Sequence, residues 1–341
     1  MSAQSDKTDG GPAVDTRDRA RRRRTAPAAT LLAVALSAPL AAGCTGHGRD
    51  DDHRAPHRTP APTSPTAPAV VGSPLAVKID NAPAARPQSG LEAADVVYVE
   101  QVEGGLSRLM AVYATRLPRT VGPVRSARES DLELLRQFRM PVLAFSGAQH
   151  RLLPLIARAP LRAEPPDEAP GAYRRDTGRA APHNLYLRPA ALLPSAPGGT
   201  ALSTGFRYGP APSGGTRASS RIVRYPAARF TFTWSAGRGG WLVAMDGTPA
   251  GTAGRGGPAP ATVVVQHVRI RTSRYHDALG NHTPYTETVG SGRAEVLRDG
   301  RSFDARWSRP SAAAGTAFTA PDGSPLDFAT GQVWVVFVPA A

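Results

Sequence analysis

Two carboxylates, one imidazole and a pair of arginines stand out in this sequence for the chemistry they could share. Asp80 closes an expected strand at residues 75–79, and the end of a strand is a common seat for working side chains. Glu103 precedes Gly104 and Gly105, so its carboxylate is expected at the tip of a tight turn. Asp80 and Glu103 together would make an acid/base pair of the glycosidase type, whose carboxyl groups stand roughly 5–9.5 Å apart. His183 lies in a loop with Arg174, Arg175 and Arg179, where an imidazole can act as acid or base or can hold an anion. A plainer reading stands beside each. Asp80 and Asn81 can cap a turn through their own backbone, and His183 with Asn184 can stitch the loop to the body by hydrogen bonds.

Arg125 and Arg128 flank the expected start of a helix. Backbone N–H groups there favour an anion, and two guanidinium groups can grip one bidentately. The competing reading pairs these arginines with Asp95, Glu100, Glu103 or Asp131 inside the fold. The expected ligand-binding set is Arg86, Arg125, Arg128, His183 and Asn184, gathered around Asp80 and Glu103. An acid/base enzyme would instead depend on Asp80, Glu103 and His183, so the sequence leaves enzyme and binder both open and leans to the binder.

Other chemistries find no support. The chain has one cysteine, Cys44, so the folded part has no thiol nucleophile and no disulfide. There is no Gly-x-Ser-x-Gly elbow, Walker loop or dinucleotide fingerprint. His276, Asp277 and His282 surround a Gly-Asn turn, but no His-Glu-x-x-His helix or cysteine pair supports zinc. His150 and His267 read as structural. No metal site and no cofactor are expected.

Hydrophobic patterning supplies the elements that must position these groups. Residues 75–79 read as a strand, and residues 94–102 and 108–115 as a hairpin joined at Gly104-Gly105. Ser126 and Glu129 fit a capping box opening a helix with Leu132, Leu135 and Phe138 at helical spacing. A buried strand follows at 141–145, then a helix at 149–157. Residues 162–182 read as a long loop. Beyond residue 204 the signals are almost wholly β. Short alternating runs occur at 221–225, 229–234 and 241–245, and a longer strand at 262–271. Turn dipeptides stand at Asp246-Gly247, Asp299-Gly300 and Asp322-Gly323, and a Val/Trp/Phe strand at 332–339 follows. Trp234, Trp241, Trp307 and Trp334 fit core positions better than a sugar platform. The fold class expected is α+β, with a mixed α/β domain at 74–203 and a mainly antiparallel β domain, barrel or sandwich, at 204–341.

The N-terminal segment carries an address. Four arginines at 21–24 precede a short apolar stretch at 28–42, and Ala41-Ala42-Gly43 precede Cys44. That is the layout of a bacterial lipoprotein signal, with residues 1–43 removed and a diacylglyceryl group on Cys44. Ala41 stands where such boxes prefer leucine, so a plain cleaved signal is the rival reading; the arginine run leaves general and twin-arginine export both open. Residues 44–73, rich in Pro, Thr and Ala, read as an extended tether. The formal charge is +14; residues 1–43 hold 7 basic and 4 acidic side chains, leaving +11 on the rest. Lys7 and Lys78 are the sole lysines, and no nucleic-acid reader motif accompanies the arginines, so nucleic acid is not an expected partner.

Several ordered motifs point to one family. These are Ala76-Val77-Lys78-Ile79-Asp80-Asn81, then Ala85-Arg86-Pro87-Gln88-Ser89-Gly90-Leu91 and Ala94-Asp95-Val96-Val97-Tyr98. Glu103-Gly104-Gly105-Leu106-Ser107-Arg108, Gly122-Pro123-Val124-Arg125-Ser126-Ala127-Arg128 and Ala181-Pro182-His183-Asn184-Leu185-Tyr186 follow, with Gly331-Gln332-Val333-Trp334-Val335 near the end. Residues 74–339 thereby resemble the YerB-like lipoproteins, a bacterial family with N- and C-terminal domains of unknown function. The segment before Pro182 departs from the family, whose members carry more acidic and aromatic residues there. The resemblance implies a lipid-anchored protein on the outer face of the cytoplasmic membrane and supplies no reaction. The expected partners are the membrane, through the anchor, and an anionic cell-wall component or an envelope protein.

Overall fold

Three strands frame the expected site: β1 (Leu75–Asp80), which ends on Asp80, and β2 (Val96–Gln101) and β3 (Ser107–Tyr113), which flank Glu103 in sequence. β1 is buried along its whole length, Lys78 and Asp80 included, as a strand in the interior of a sheet covered on both faces is. It pairs antiparallel with β3, and β3 with β2. In that register Asp80 and Glu100 both stand opposite Arg108, so the three side chains lie abreast on one face.

The remaining elements follow in order. They are α1 (Glu129–Leu135), β4 (Val142–Ala144), α2 (Leu153–Arg158), β5 (Arg162–Ala163), β6 (Tyr173–Arg175) and β7 (Leu185–Leu187). Then come β8 (Thr216–Arg217), β9 (Ser220–Tyr225), β10 (Ala228–Ser235), β11 (Gly240–Met245) and β12 (Thr248–Pro249). Last are β13 (Thr262–Val268), β14 (Ile270–His276), β15 (His282–Thr286), β16 (Gly290–Arg298), β17 (Arg301–Arg309), β18 (Ala317–Thr319) and β19 (Val333–Pro339). The computed structural model describes residues 72–251, 256–277 and 280–340, all within the unit Pro65–Ala341. The signal segment, Cys44 and residues 44–71 of the tether lie outside the described residues. Among the described residues no helix is long and apolar enough to cross a membrane.

The chain is mostly β, in several sheets, with few helices. The largest sheet runs β18-β17-β16-β13-β19-β2-β3-β1-β4-β5, with β8 on β17. It is mixed: β19 lies parallel to both β13 and β2, and β4 parallel to β1 and β5. Residues 74–203 and 204–341 therefore share this sheet, because the last strand enters between them. Strand alternation sorts the core into two layers. On one face Val77, Ile79, Val97, Val265 and Trp334 pack with Phe230, Phe232 and Trp241 of the four-stranded sheet β12-β11-β10-β9. On the other, Tyr98, Met110 and Val335 pack with Leu134 and Leu135 of α1 and Ile156 of α2.

Local differences from the sequence reading have local causes. α1 begins at Glu129 rather than at Ser126, because the Asp131 carboxylate accepts the backbone N–H of Arg128 at 2.6 Å. Ser126 instead lies against Ser146, and Glu129 accepts from Ser273 Oγ at 2.6 Å. The expected loop at 162–182 contains β5 and β6, the second pairing with β7. Asp246 and Asp299 adopt positive φ at 52° and 51°, as the tight turns after β11 and β16 require.

Candidate functional site

Asp80, Glu103, Arg125, Arg128 and His183 all line one cavity of about 650 Å³. Its position follows from backbone lacing at the end of β1. The amide of Asp80 donates to the carbonyl of Pro123 at 2.9 Å, Arg125 N–H to Lys78 O at 2.8 Å, and Val124 N–H to Leu185 O at 2.6 Å. The segment at 122–125 is thus stitched between β1 and β7, and it sets Arg125 and His183 on either side of Asp80.

Asp80 is the hub. Its Oδ2 accepts from His183 Nδ1 at 2.7 Å and lies 3.2 Å from Arg125 Nε, while Oδ1 accepts the amide of Ala82 at 3.1 Å. A carboxylate can only accept, so His183 Nδ1 carries the proton and its Nε2 is left unpaired. Among the described residues Nε2 has no hydrogen-bonding partner in the protein.

Glu103 does not stand free at a turn tip. It is 7 % exposed and grips Arg128 bidentately, Nε to Oε1 at 2.6 Å and Nη2 to Oε2 at 2.8 Å, with Thr283 Oγ donating to Oε1 as well. Burial alone would raise this carboxyl; the Arg128 hydrogen bonds and charge, with Thr283, hold it below its ordinary value. A carboxylate fixed in its ionised form is poorly suited to general-acid work, so the expected Asp80/Glu103 pair becomes two separate ion pairs.

The residue that sequence reasoning passed over is Arg108. Its Nη1 donates to the carbonyl of Ser126 at 3.2 Å, and among the described residues no carboxylate lies within ion-pair distance. Burial and the charges of Arg128 and Arg125 bring it down to about 9, against the pull of Glu103 and Asp80. Strand register would have found it, since Arg108 opposes Asp80 directly. His150, His276 and Asp277 also line the cavity; the last two arrive on the β14–β15 hairpin, a pairing the sequence gives no means to place here. Among the described residues no group of three or more His, Cys, Asp or Glu side chains is placed to hold a metal ion.

Arg86 and Asn184 are not among the lining residues. Arg86 binds Asn81 through Oδ1 at 3.1 Å and O at 2.8 Å, the carbonyl of Met245 at 3.1 Å, and Asp246 at 2.8 Å. It ties the end of β1 to the turn after β11. Asn184 accepts from Arg175 and donates to the carbonyls of Asp176 and Arg179, closing the loop that carries His183. A larger cleft of about 1080 Å³ shares no lining residue with the first. Three of its four arginines are engaged: Arg179 is held by the carbonyls of Ala85 and Pro87, Arg188 by that of Gly171, and Arg174 lies over Tyr186.

Behind the cavity lies a buried triad. Lys78 Nζ sits 2.6 Å from Asp131 and 2.9 Å from Glu100, all three nearly inaccessible. Two carboxylates share one ammonium. Burial raises Lys78's partner Glu100 to about 7, Lys78 opposing the shift and Asp131 adding to it. Lys78 itself is raised, since the two carboxylates outweigh its burial.

Comparison with known proteins places the chain in a family. A model described as the N-terminal domain of a protein of unknown function, DUF3048, matches residues 61–201. The corresponding C-terminal domain model matches residues 221–335. Over 65 residues the chain is 49% identical to a Bacillus subtilis (strain 168) protein described as "Putative lipoprotein YerB". That alignment covers 19% of this chain and 20% of the relative, a fifth of its length. The crystal structure of YerB protein from Bacillus subtilis superposes with a TM-score of 0.64 at 21% identity, covering 78% of this chain and 91% of that one. The likeness is one of fold.

Proposed function

Because the chain belongs to the YerB-like DUF3048 family, we propose that it is a lipid-anchored binding module of the bacterial cell envelope whose cavity receives an anionic group. The anchor is a diacylglyceryl group on Cys44, which holds the domain on the outer face of the cytoplasmic membrane; a mature form carrying two or three acyl chains attaches stably. The signal-like layout of residues 21–44 and a lipoprotein relative support that part. The domain is read as a helix-bearing N-terminal half joined to a β-sandwich-like C-terminal half across one sheet.

One observation carries the anion reading: the Arg108 guanidinium stands beside two other arginines with a single carbonyl for a partner. An anion there would offset the repulsion between Arg108, Arg125 and Arg128, and charge-assisted bonds of this kind are the strong ones. The ligand is read as a phosphate- or carboxylate-bearing component of the cell wall or an envelope partner. Calorimetric titration of the purified full chain with phenyl phosphate tests this. Binding by the wild type that weakens at least tenfold in Arg108→Met supports the reading; equal binding by both, or none, refutes it.

A further inference from the structure

We infer that Asp80 and His183 form a catalytic dyad that hydrolyses a phosphodiester held against Arg108 and Arg125. The inference rests on the anion-binding reading of the same cavity and adds a reaction to it.

The geometry assigns the roles. Asp80 accepts from His183 Nδ1 at 2.7 Å, which fixes the tautomer and leaves the Nε2 lone pair for a proton. Asp80 is itself braced. The neighbouring Asn81 is held by Ser107 Oγ at 2.8 Å and Gln88 at 2.8 Å, and the amide of Ala82 binds Asp80 Oδ1. His183 is 24% exposed on its side chain and lines the cavity, so the ring is ordered on one side and accessible on the other. Arg125 reaches Asp80 through Nε, leaving its two terminal nitrogens without a protein partner among the described residues. Those nitrogens and the Arg108 guanidinium suit phosphoryl oxygens, where positioning and charge neutralisation supply most of the catalysis.

The step balances with water as the co-substrate. His183 Nε2 takes a proton from water as the water oxygen forms a bond to phosphorus. The bond from phosphorus to one ester oxygen breaks, and the departing oxygen receives a proton by way of solvent when the imidazolium gives its own up. The products are a phosphomonoester and an alcohol.

The test uses the purified full chain with bis(4-nitrophenyl) phosphate, and calorimetry with phenyl phosphate on the same samples. The wild type is expected to release nitrophenolate. His183→Ala is expected to lose about 100-fold in kcat, the usual share of a general base. Added imidazole is expected to restore at least tenfold, which a misfolded variant would not allow. Wild-type binding without turnover, turnover that survives His183→Ala, or a loss that imidazole does not rescue overturns the dyad and leaves the anion-binding proposal standing. Absence of phenyl phosphate binding by the wild type overturns both.

Discussion

Replacing Glu100 with glutamine separates its ionisation from its packing. Glu100 is 1% exposed, bonded to Lys78 at 2.9 Å, and shares that ammonium with Asp131. Its carboxyl is raised from an ordinary 4.5 to about 7. The sign follows from linkage. Below pH 4.5 folded and unfolded chains both hold the proton, and no penalty arises. Between pH 4.5 and 7 the unfolded chain releases a proton that the folded chain keeps, so stability falls as pH rises. A shift of that size corresponds to about 3 kcal/mol. Glutamine keeps the shape and an acceptor for Lys78 but does not titrate. Urea denaturation of both proteins, followed by tryptophan fluorescence from pH 4.5 to 8, reads the difference directly. The wild type is expected to lose about 3 kcal/mol relative to Glu100→Gln across that range. Titrating groups outside the Lys78–Glu100–Asp131 triad are common to both proteins and cancel. Curves parallel to within about 0.5 kcal/mol would mean that Lys78 holds Glu100 ionised and that burial has been overvalued.

Three further outcomes are expected. Cys44→Ser should abolish incorporation of labelled palmitate and release the protein from the membrane fraction; retained label would remove the anchor. Gly105→Ala should destabilise by about 2 kcal/mol or more, since φ is 70° and the new Cβ would lie 2.6 Å from Pro226 Cβ. Gly104→Ala, with φ 66° and open space around it, should lose only about 1–2 kcal/mol, and equal losses would contradict the packing argument. Arg86→Ala should lower the melting temperature while phenyl phosphate affinity stays within twofold, because its contacts run to Asn81, Met245 and Asp246 and none to the cavity.

Much of the fold was legible because its signals are local. The 94–115 hairpin and the Asp-Gly turns at 246 and 299 follow from alternation and turn chemistry, and the structure has β2–β3, β11–β12 and β16–β17 there. The parallel insertion of β19 between β13 and β2 has no local signal. A Val/Trp/Phe strand fits the middle of any buried sheet, and only long-range packing selects this one. The same limit shaped the site. Asp80, Glu103, Arg125, Arg128 and His183 are recognisable by type and neighbourhood. Yet Glu103 is locked by Arg128 and Thr283, a partner 180 residues away, and spacing carries no trace of that contact.

The two carboxylates began as one expected pair, and their separation is what gives the cavity its asymmetry. Glu103 and Arg128 satisfy each other bidentately, so that side is an ion pair with little left to offer a ligand. Asp80 divides a single oxygen between His183 and Arg125, so His183 Nε2 and the outer nitrogens of Arg125 remain for something else. Arg108 stands between the two ion pairs, in register with Asp80 and with Glu100, and belongs to neither. An arginine in that position raises the energy of the unliganded fold, because burial and its like-charged neighbours both oppose its charge. A purely structural role would be served better by a neutral side chain in the same register, so Arg108→Met is expected to fold at least as stably as the wild type while losing the anion.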